Sequence, residues 1–288
     1  MPSKAKALVD PAAHLRGLVR TFHGLGYGRT ALYTVFTDWV ECAACALSNR
    51  IYPDAYEKRE KRYLDIISKY DADVKHTFGE LLGQVILAAE ACRLAGKLDL
   101  LAQLYIALEL ERKQIGQYFT PWSICEMMAR INCGPPEQLQ SEVAAKGYIT
   151  FMDPCCGAGT MLLACAAYAT DCGILPEQIH FTGIDIDPTC VRLCFLQFAL
   201  YGLPALIIEG NAISMKLDEY WPTARHISGA WSARLNAAKT IATSEEKDPV
   251  IDRPPSVHPA EPATHISAAE PAAPSVKRPL WRPRTSSW

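Results

Sequence analysis

The feature that most constrains this chain is a short apolar stretch, residues 149–152, that runs into Asp153 and then turns through Gly157 and Gly159. Glycine allows the tight backbone conformations that such a turn needs. Residues 160–170 follow as an apolar helix, whose first N–H groups are free to face a ligand. The segment therefore predicts a strand, a glycine turn and a helix in that order.

A second predicted strand ends in an acid in the same way. Residues 180–184 lead into Asp185, residues 188–201 predict a helix, and residues 205–209 predict another strand. Strands separated by helices predict a parallel sheet with right-handed crossovers, and a ligand outside the carboxyl ends of its strands.

The two acids restrict the kind of ligand. A carboxylate at Asp153 suits an amino group or a ribose hydroxyl and would repel a pyrophosphate. Asp185 follows it by 32 positions, which is more than the roughly 20 of the dinucleotide fingerprint. The pattern therefore disfavours a nicotinamide cofactor.

The first part of the chain has a different sequence pattern, with long segments of helical periodicity and few runs of β-branched residues. We predict helices at residues 30–47, 55–70 and 77–95. Three regions follow from these patterns: a helical N-terminal region at 1–113, an α/β domain at 114–243, and a tail at 244–288.

The tail is predicted from composition. Nine of the 44 residues from 245 to 288 are proline, and such a segment buries too little apolar surface to offset the entropy of ordering. We expect it to be disordered. Its basic end around Trp281 either contacts nucleic acid or a partner, or is simply unstructured.

Composition excludes some classes of protein. No apolar run reaches the roughly 18 residues of a membrane span, and the N-terminus has no secretory signal, so we expect a cytoplasmic protein without membrane contact. The 11 cysteines lie mostly in apolar, helix-like surroundings, and we interpret them as reduced core residues. The net charge of −2 neither supports nor excludes binding to nucleic acid.

Two local patterns admit more than one interpretation. The charged segment 56–63 could reach DNA phosphates through Lys58, Arg59, Lys61 and Arg62, but its alternating glutamates favour a solvated helix face with internal ion pairs. Cys42 and Cys45 have the spacing of zinc ligands. Without a second pair nearby, core packing is favoured, and the seven histidines form no cluster in the sequence. We expect no bound metal.

A third block, Gly116-Gln-Tyr-Phe-Thr-Pro121, precedes a predicted helix at 123–131. In this order the three blocks resemble the gamma-ordered adenine-N6 DNA methyltransferases, in particular the modification subunits of type I restriction systems and their relatives on phages and mobile elements. The resemblance covers about residues 98–214.

The resemblance implies an α/β fold with a Rossmann-like S-adenosylmethionine-dependent methyltransferase sheet, preceded by an all-helical N-terminal region. It implies that S-adenosyl-L-methionine is the cofactor and DNA the partner. In the family, the first block contacts the methionine end of the cofactor, the glycine loop holds its amino acid portion, an acid binds ribose, and a polar residue lies near adenine. In the same order, the matching positions are Tyr118, Thr120 and Pro121; Asp153, Gly157 and Gly159; Asp185; and Asn211.

One family motif has no counterpart. The family uses Asn-Pro-Pro-Tyr or Asn-Pro-Pro-Phe to accept the amino hydrogens of a flipped adenine and to stack on its ring. The two Pro-Pro pairs of this chain, at 135–136 and 254–255, have neither the amide nor the aromatic. The catalytic residues are therefore unassigned. The region after Ser214, with Trp221, Trp231 and Asn236, holds either a divergent target-base pocket or a truncated remnant.

Two functions stay open from the sequence. The chain is either a site-specific adenine-N6 DNA methyltransferase of a restriction–modification system, or a catalytically degenerate partner or anti-restriction protein that binds S-adenosylmethionine and DNA. Besides DNA, the expected partners include a second protein subunit that supplies target recognition. A third hypothesis is methylation of RNA, protein or a small molecule, because a fold does not choose a substrate.

Overall fold

A computed structural model describes residues 10–26, 29–111 and 118–237 of the chain. The helices are α1 (Pro11–Leu25), α2 (Arg29–Ser48), α3 (Tyr56–Ile67), α4 (Ala72–Leu94), α5 (Leu100–Ala107), α6 (Trp122–Cys133), α7 (Pro136–Lys146), α8 (Thr160–Asp171), α9 (Pro188–Leu200) and α10 (Ala224–Ser228). The strands are β1 (Ile149–Asp153), β2 (Ile179–Asp185), β3 (Ala205–Asn211) and β4 (Lys216–Pro222).

The described residues before β1 are built from helices whose starts are fixed by local chemistry. Asp10 accepts a hydrogen bond from the Ala12 N–H at the start of α1, and Asp71 accepts one from Val74 at the start of α4. Such caps satisfy N–H groups that a helix leaves unpaired. The three helices predicted in this region correspond to α2, α3 and α4, and their boundaries differ from the prediction by a few residues.

The sheet has the order β1-β2-β3-β4. The first three strands are parallel, and β4 is antiparallel to β3. Helix α8 packs against β1 and β2, and α9 against β2 and β3. The strands and helices predicted between residues 149 and 209 are all present, so a mixed α/β fold with a mostly parallel sheet is confirmed. The Rossmann-like assignment and the domain boundaries stay predictions.

The sequence patterns did not predict strand β4, because charged residues such as those it contains are more typical of loops. It places Glu219 and Trp221 against the core, where they are 8% and 0% exposed. Trp231 is 1% exposed. Both tryptophan rings are therefore enclosed by protein, and a base pocket in the region after Ser214 stays a prediction.

A cluster of buried charges joins the helices to the sheet. Three arginines from α3 and α9 meet three glutamates from α2, β3 and β4, and we call Arg59, Arg62, Arg192, Glu41, Glu209 and Glu219 the arginine–glutamate cluster. Its contacts include Arg62 Nη1 to Glu41 Oε1 at 2.6 Å and Arg192 Nε to Glu41 Oε2 at 2.9 Å. Equal numbers of opposite charges allow burial, since each charge has a partner.

Glu219 and Trp221 lie at the centre of this cluster. Glu219 accepts hydrogen bonds from Arg59 at 3.2 Å and from Arg62 at 3.0 Å. The guanidinium carbons of Arg59 and Arg192 lie 3.6 and 4.5 Å from the centroid of the Trp221 ring, within the range of cation–π attraction. Burial acts to raise the pKa of Glu219, but the surrounding arginines outweigh it, and the pKa is lowered.

The cluster corrects the interpretation of segment 56–63. Arg59 is fully buried and Arg62 half-buried, and both bind carboxylates distant in sequence. They are therefore not available to phosphates, and the segment is not simply a solvated face. Of its four cations only Lys61 pairs within the helix, with Asp65 at 3.0 Å.

All 11 cysteines are free and all but Cys155 are buried. Cys42 and Cys45 are 4% and 0% exposed, which confirms core packing for that pair. Burial raises the pKa of both thiols to about 12. His180 and His226, 46 positions apart in the sequence, lie side by side, with their Nε2 and Nδ1 atoms 2.8 Å apart. Burial, with His226 and Arg234 nearby, lowers the pKa of His180 to about 3, so it is neutral at physiological pH.

Across the described ranges, none of the helices combines the length and apolarity that crossing a membrane requires. The tail expected at 244–288 lies outside those ranges.

The variant Glu219→Gln tests how much the arginine–glutamate cluster contributes to the free energy of unfolding. Removing one charge from a buried network leaves its partners uncompensated and costs about 3–5 kcal/mol, so we expect that loss in the free energy of unfolding from urea titration at pH 7. Because the pKa of Glu219 is lowered by folding, its contribution is complete above the unfolded pKa of about 4.3 and is lost as the pH falls through the folded value. The gap between wild type and variant should therefore narrow below about pH 4.

The control is Asp65→Asn, which removes the exposed Lys61–Asp65 pair. Exposed pairs contribute about 0–1 kcal/mol. Equal losses in the two variants would contradict a special role for the cluster.

Candidate functional site

The candidate site lies at the carboxyl ends of the three parallel strands. Asp153 ends β1, Asp185 ends β2 and Asn211 ends β3. The register pairs Asp153 with Gly183 and Asp185 with Glu209, so the three polar residues follow one another along a single edge of the sheet. Parallel strands bring these ends together because their directions agree.

The loop between β1 and α8 is tied to the end of β2. The Gly157 N–H donates to Asp185 Oδ2 at 2.8 Å, and the Cys156 N–H donates to the Ile184 carbonyl at 2.9 Å. Both contacts join residues far apart in sequence. The structure therefore brings together two predicted site residues, Gly157 and Asp185, by a direct hydrogen bond.

Asp185 also orders the turn that follows its own strand. Its Oδ1 accepts from the Asp187 N–H at 2.9 Å. Burial raises the pKa of Asp185, while the hydrogen bonds from Asp187 and Gly157 act in the opposite direction. Each carboxylate oxygen has two acceptor positions, so this half-buried group can also accept from a ligand hydroxyl.

Asp153 has a similar but more local arrangement. Its Oδ1 accepts from the Cys155 N–H at 3.0 Å, which shapes the first turn of the loop. The side chain is half-buried, and Pro154 and Cys155 beside it are exposed. A carboxylate held in this way at the loop entrance is suited to an amino group.

The two loop glycines serve different purposes. Both have positive φ, +53° at Gly157 and +88° at Gly159, a region that favours glycine. A Cβ on Gly159 would lie 2.7 Å from Cys194 Sγ and 3.2 Å from the Phe198 ring, so this residue permits close packing of the loop on α9. A Cβ on Gly157 would lie 3.4 Å from the Phe119 ring.

The block before α6 reaches the loop through Phe119, a residue of that block that is not among the predicted site residues. Its ring contacts Tyr105 edge-on at 5.3 Å and lies next to Gly157. Its N–H donates to Glu111 Oε1 at 3.2 Å. The signal that could have found it is an apolar side chain between two polar motif residues, which is typical of a buried anchor.

The predicted residues of this block are exposed. Tyr118 is 67% exposed, and Thr120 and Pro121 also face solvent. Gly116 and Gln117 lie outside the described residues. The block therefore presents accessible side chains beside the loop, held in place by Phe119.

Asn211 has a clear local role. Its Oδ1 accepts from the Ile213 and Ser214 N–H groups at 2.9 and 3.0 Å, which holds the turn between β3 and β4. A Cβ on Gly210 would lie 2.6 Å from the Lys216 carbonyl oxygen, so glycine is required there by the hairpin. The Asn211 amide nitrogen remains as a donor toward a ligand.

This donor set fits S-adenosylmethionine in chemical terms. Acids at two adjacent strand ends suit an ammonium group and ribose hydroxyls, and the amide of Asn211 suits an adenine edge. The backbone at Gly157 allows close approach of a ligand, since only a hydrogen stands where a side chain would be.

Residues 102–226 match the family model of the N-6 DNA methylases. No curated protein matches the chain. The matched span includes β1, β2, β3, β4 and the loop described above, and it supports the adenine-N6 methyltransferase family and its general DNA methylation function. It covers less than half of the 288 residues.

The different surroundings of the two glycines give a stability prediction. Gly159→Ala introduces both an unfavourable φ and a contact with buried Cys194, so we expect a loss of about 2–4 kcal/mol. Gly157→Ala has the φ penalty, of about 1–2 kcal/mol, with only ordinary contact to Phe119. The free energies of unfolding from urea titration of the two variants measure the difference. Equal losses would show that packing against α9 does not distinguish these positions.

Proposed function

We propose that the carboxyl edge of the sheet binds S-adenosyl-L-methionine and that the chain acts in methyl transfer to the N6 amino group of adenine in DNA. The observation that carries the proposal is the hydrogen bond between Asp185 and Gly157, inside a span that matches the N-6 DNA methylase family. This contact fixes the distance between an acid at one strand end and a glycine loop at the next.

Each predicted residue has a proposed task in this site. Asp185 accepts from ribose hydroxyls, and Asp153 accepts from the amino group of the cofactor. Gly157 and Gly159 shape the loop around the amino acid portion. Tyr118, Thr120 and Pro121 lie on the methionine side, and the Asn211 amide donates to adenine.

Bound S-adenosylmethionine supplies an electrophilic methyl group on a sulfonium. The protein's part in a direct displacement is to position the two reactants and to exclude water. The target nitrogen also needs acceptors for its protons as its lone pair becomes available. Asp153 and Asp185 are assigned to the cofactor and the sequence has no Asn-Pro-Pro-aromatic motif, so this acceptor has no assigned residue in the chain.

The missing tetrapeptide favours a second candidate function. The 288 residues contain no Asn-Pro-Pro followed by an aromatic. A chain that binds the cofactor without that motif would act as one part of a methyltransferase or as a degenerate partner, including an anti-restriction protein. The two candidates differ in whether the isolated chain methylates DNA.

DNA contact is also limited by the fold. Arg59 and Arg62 belong to the arginine–glutamate cluster, and Lys58, 63% exposed in its side chain, lies 3.6 Å from Glu219. A DNA-binding surface is therefore to be sought away from α3, near the exposed side chains at the cofactor edge.

Cofactor binding is tested by calorimetric titration of S-adenosylmethionine into the full chain. We expect saturable binding to the wild type and a dissociation constant about 10–100-fold weaker for Asp185→Asn, because hydrogen bonds to charged groups contribute about 1.5–3 kcal/mol. Asp218→Asn is the matched control, since this exposed carboxylate of β4 lies outside the site. A folded wild type without binding would refute the cofactor site.

Methyl transfer is tested by expressing the chain in a methylase-deficient host and measuring N6-methyladenine in host DNA by mass spectrometry. An active enzyme yields methylated adenine that depends on Asp185. Unmodified DNA in the presence of folded, cofactor-binding protein would decide in favour of the partner function.

A further inference from the structure

Three side chains near the amino end of β2 form a hydrogen-bonded line. His226 Nε2 lies 2.9 Å from Ser232 Oγ, and His226 Nδ1 lies 2.8 Å from His180 Nε2. We call Ser232, His226 and His180 the serine–histidine relay. Both nitrogens of the middle ring are engaged, one by a hydroxyl and the other by a second ring. This is the arrangement by which a histidine activates a serine, and it is recognised by geometry on unrelated folds.

The serine–histidine relay runs from the interior of the protein to its surface. His180 is 1% exposed and His226 is 4% exposed, whereas Ser232 is exposed. A reactant can therefore reach the hydroxyl while the two rings stay shielded from water. Burial lowers the pKa of both rings because it disfavours their charged forms. At physiological pH His226 is neutral, so one of its nitrogens is available to accept a proton.

The turn after α10 brings Ser232 back onto His226, six positions earlier in the chain. Ala230 has a φ of +50°, a left-handed conformation that is unfavourable for a residue with a Cβ. Gly229 allows the turn to close tightly, since a Cβ there would lie 2.7 Å from Trp231 Nε1. Backbone strain of this kind persists where the surrounding structure holds a functional group in place.

Trp231 anchors the segment that carries the serine. It is 1% exposed, and its ring centroid lies 4.9 Å from that of His180 and 5.3 Å from that of Tyr148. The guanidinium carbon of Arg234 lies 3.7 Å from the same ring, within the range of cation–π attraction. Ser232 follows a side chain that is packed on several sides, which gives its hydroxyl the fixed position that catalysis requires.

The relay is remote from the candidate cofactor site. His180 is the second residue of β2, and Asp185 is the last. Five steps of about 3.3 Å along the strand separate them by roughly 16 Å. An activity at the relay therefore does not depend on S-adenosylmethionine at the carboxyl edge of the sheet.

A groove of about 140 Å³ lies beside the relay. Its lining residues include Gly229 and Trp231, which precede Ser232, and the cations Arg225 and Arg234. Sites for drug-sized ligands have volumes of about 300–1,000 Å³, so this groove suits a small acyl group such as acetyl. The two guanidinium groups disfavour an acyl group with a positive charge.

We propose that Ser232 is a nucleophile and that the chain hydrolyses small carboxylic esters at the serine–histidine relay. His226 is the general base. His180 is a positioning residue, which acts by accepting a hydrogen bond from His226. The proposal is independent of the proposed methyl transfer and uses residues to which that function gives no task.

The reaction uses water as its second substrate. Ser232 Oγ forms a bond to the ester carbonyl carbon and gives its proton to His226 Nε2. The bond from that carbon to the alcohol oxygen breaks, and the alcohol leaves with the proton from His226. Water then attacks the acyl group and gives a proton to His226, which returns it to the departing Ser232 oxygen. The products are one carboxylic acid and one alcohol.

The third member of the relay sets the expected rate. A neutral ring at His180 stabilises a protonated His226 less than a carboxylate in that place would. In the reactive arrangement His180 carries its own proton on Nδ1, a buried atom with no hydrogen-bond partner among the described residues. An unpaired buried donor is unfavourable, so this arrangement is a minor one and we expect slow turnover.

The first test is covalent labelling of the full chain with a fluorophosphonate. Ser232 Oγ forms a bond to phosphorus, fluoride leaves, and the proton passes to His226. We expect one adduct per chain by intact mass, located at Ser232 by peptide mapping and absent from Ser232→Ala. The matched control is Ser123→Ala, which changes an exposed serine of α6 and should be labelled like the wild type.

Variants of the two histidines separate chemistry from packing. His226→Gln keeps a hydrogen-bonding side chain but no base, and we expect labelling about 100-fold slower or less, as for the loss of a general base. His180→Phe removes the acceptor and should slow labelling about tenfold. His180→Gln restores an acceptor toward His226 Nδ1 and should recover most of the rate. Thermal unfolding of each variant establishes that it is folded.

The second test is hydrolysis of p-nitrophenyl acetate by the full chain, followed by release of p-nitrophenolate. We expect more than one equivalent of product per chain, and its loss in Ser232→Ala. The proposal is overturned if the folded wild type gives no adduct at Ser232 or if His226→Gln is labelled as fast as the wild type. A single equivalent of p-nitrophenolate without turnover overturns the hydrolase. Binding of S-adenosylmethionine bears on the proposed function alone.

Discussion

The buried contact between Glu219 and its arginines is the interaction on which the rest of the structure depends. It joins α3, α9 and β4, and Trp221 fills the space between two guanidinium groups. Every charge in this cluster is bound by an opposite charge, because an unpaired ion at such depth would be strongly unfavourable. The cluster therefore fixes how the helices before the sheet sit on it, and with them the approach to the site.

The candidate site also depends on contacts between residues that are far apart in the sequence. Asp185 spans from the end of β2 to the loop after β1, while Phe119 connects the block before α6 to that loop. Close packing at Gly159 holds the loop on α9. The loop is thus positioned by contacts with three other elements, which is what a ligand site on a sheet edge requires to be preorganised.

The open edge of β1 gives the site an unusual setting. Among the described residues β1 pairs with β2 alone, and Met152 on one face of β1 is 62% exposed, whereas parallel strands are usually enclosed. Helix α6 also has exposed apolar side chains, at Ile124, Met127, Met128 and Ile131.

The sequence by itself determined the local elements of this protein: the glycine loop, the acids at two strand ends, and the strands and helices between residues 149 and 209. Their signals are contained in spacings of a few residues, where steric and hydrogen-bonding preferences act directly. Only the tertiary structure decided that Arg59 is buried against Glu219 and that β4 forms. It also decided that His180 contacts His226 and that Phe119 packs next to the glycine loop. Each of these depends on contacts between residues far apart in the chain, such as Arg59 and Glu219, which are 160 positions apart. Periodicity and charge patterns in a single segment do not specify which distant side chain will meet it.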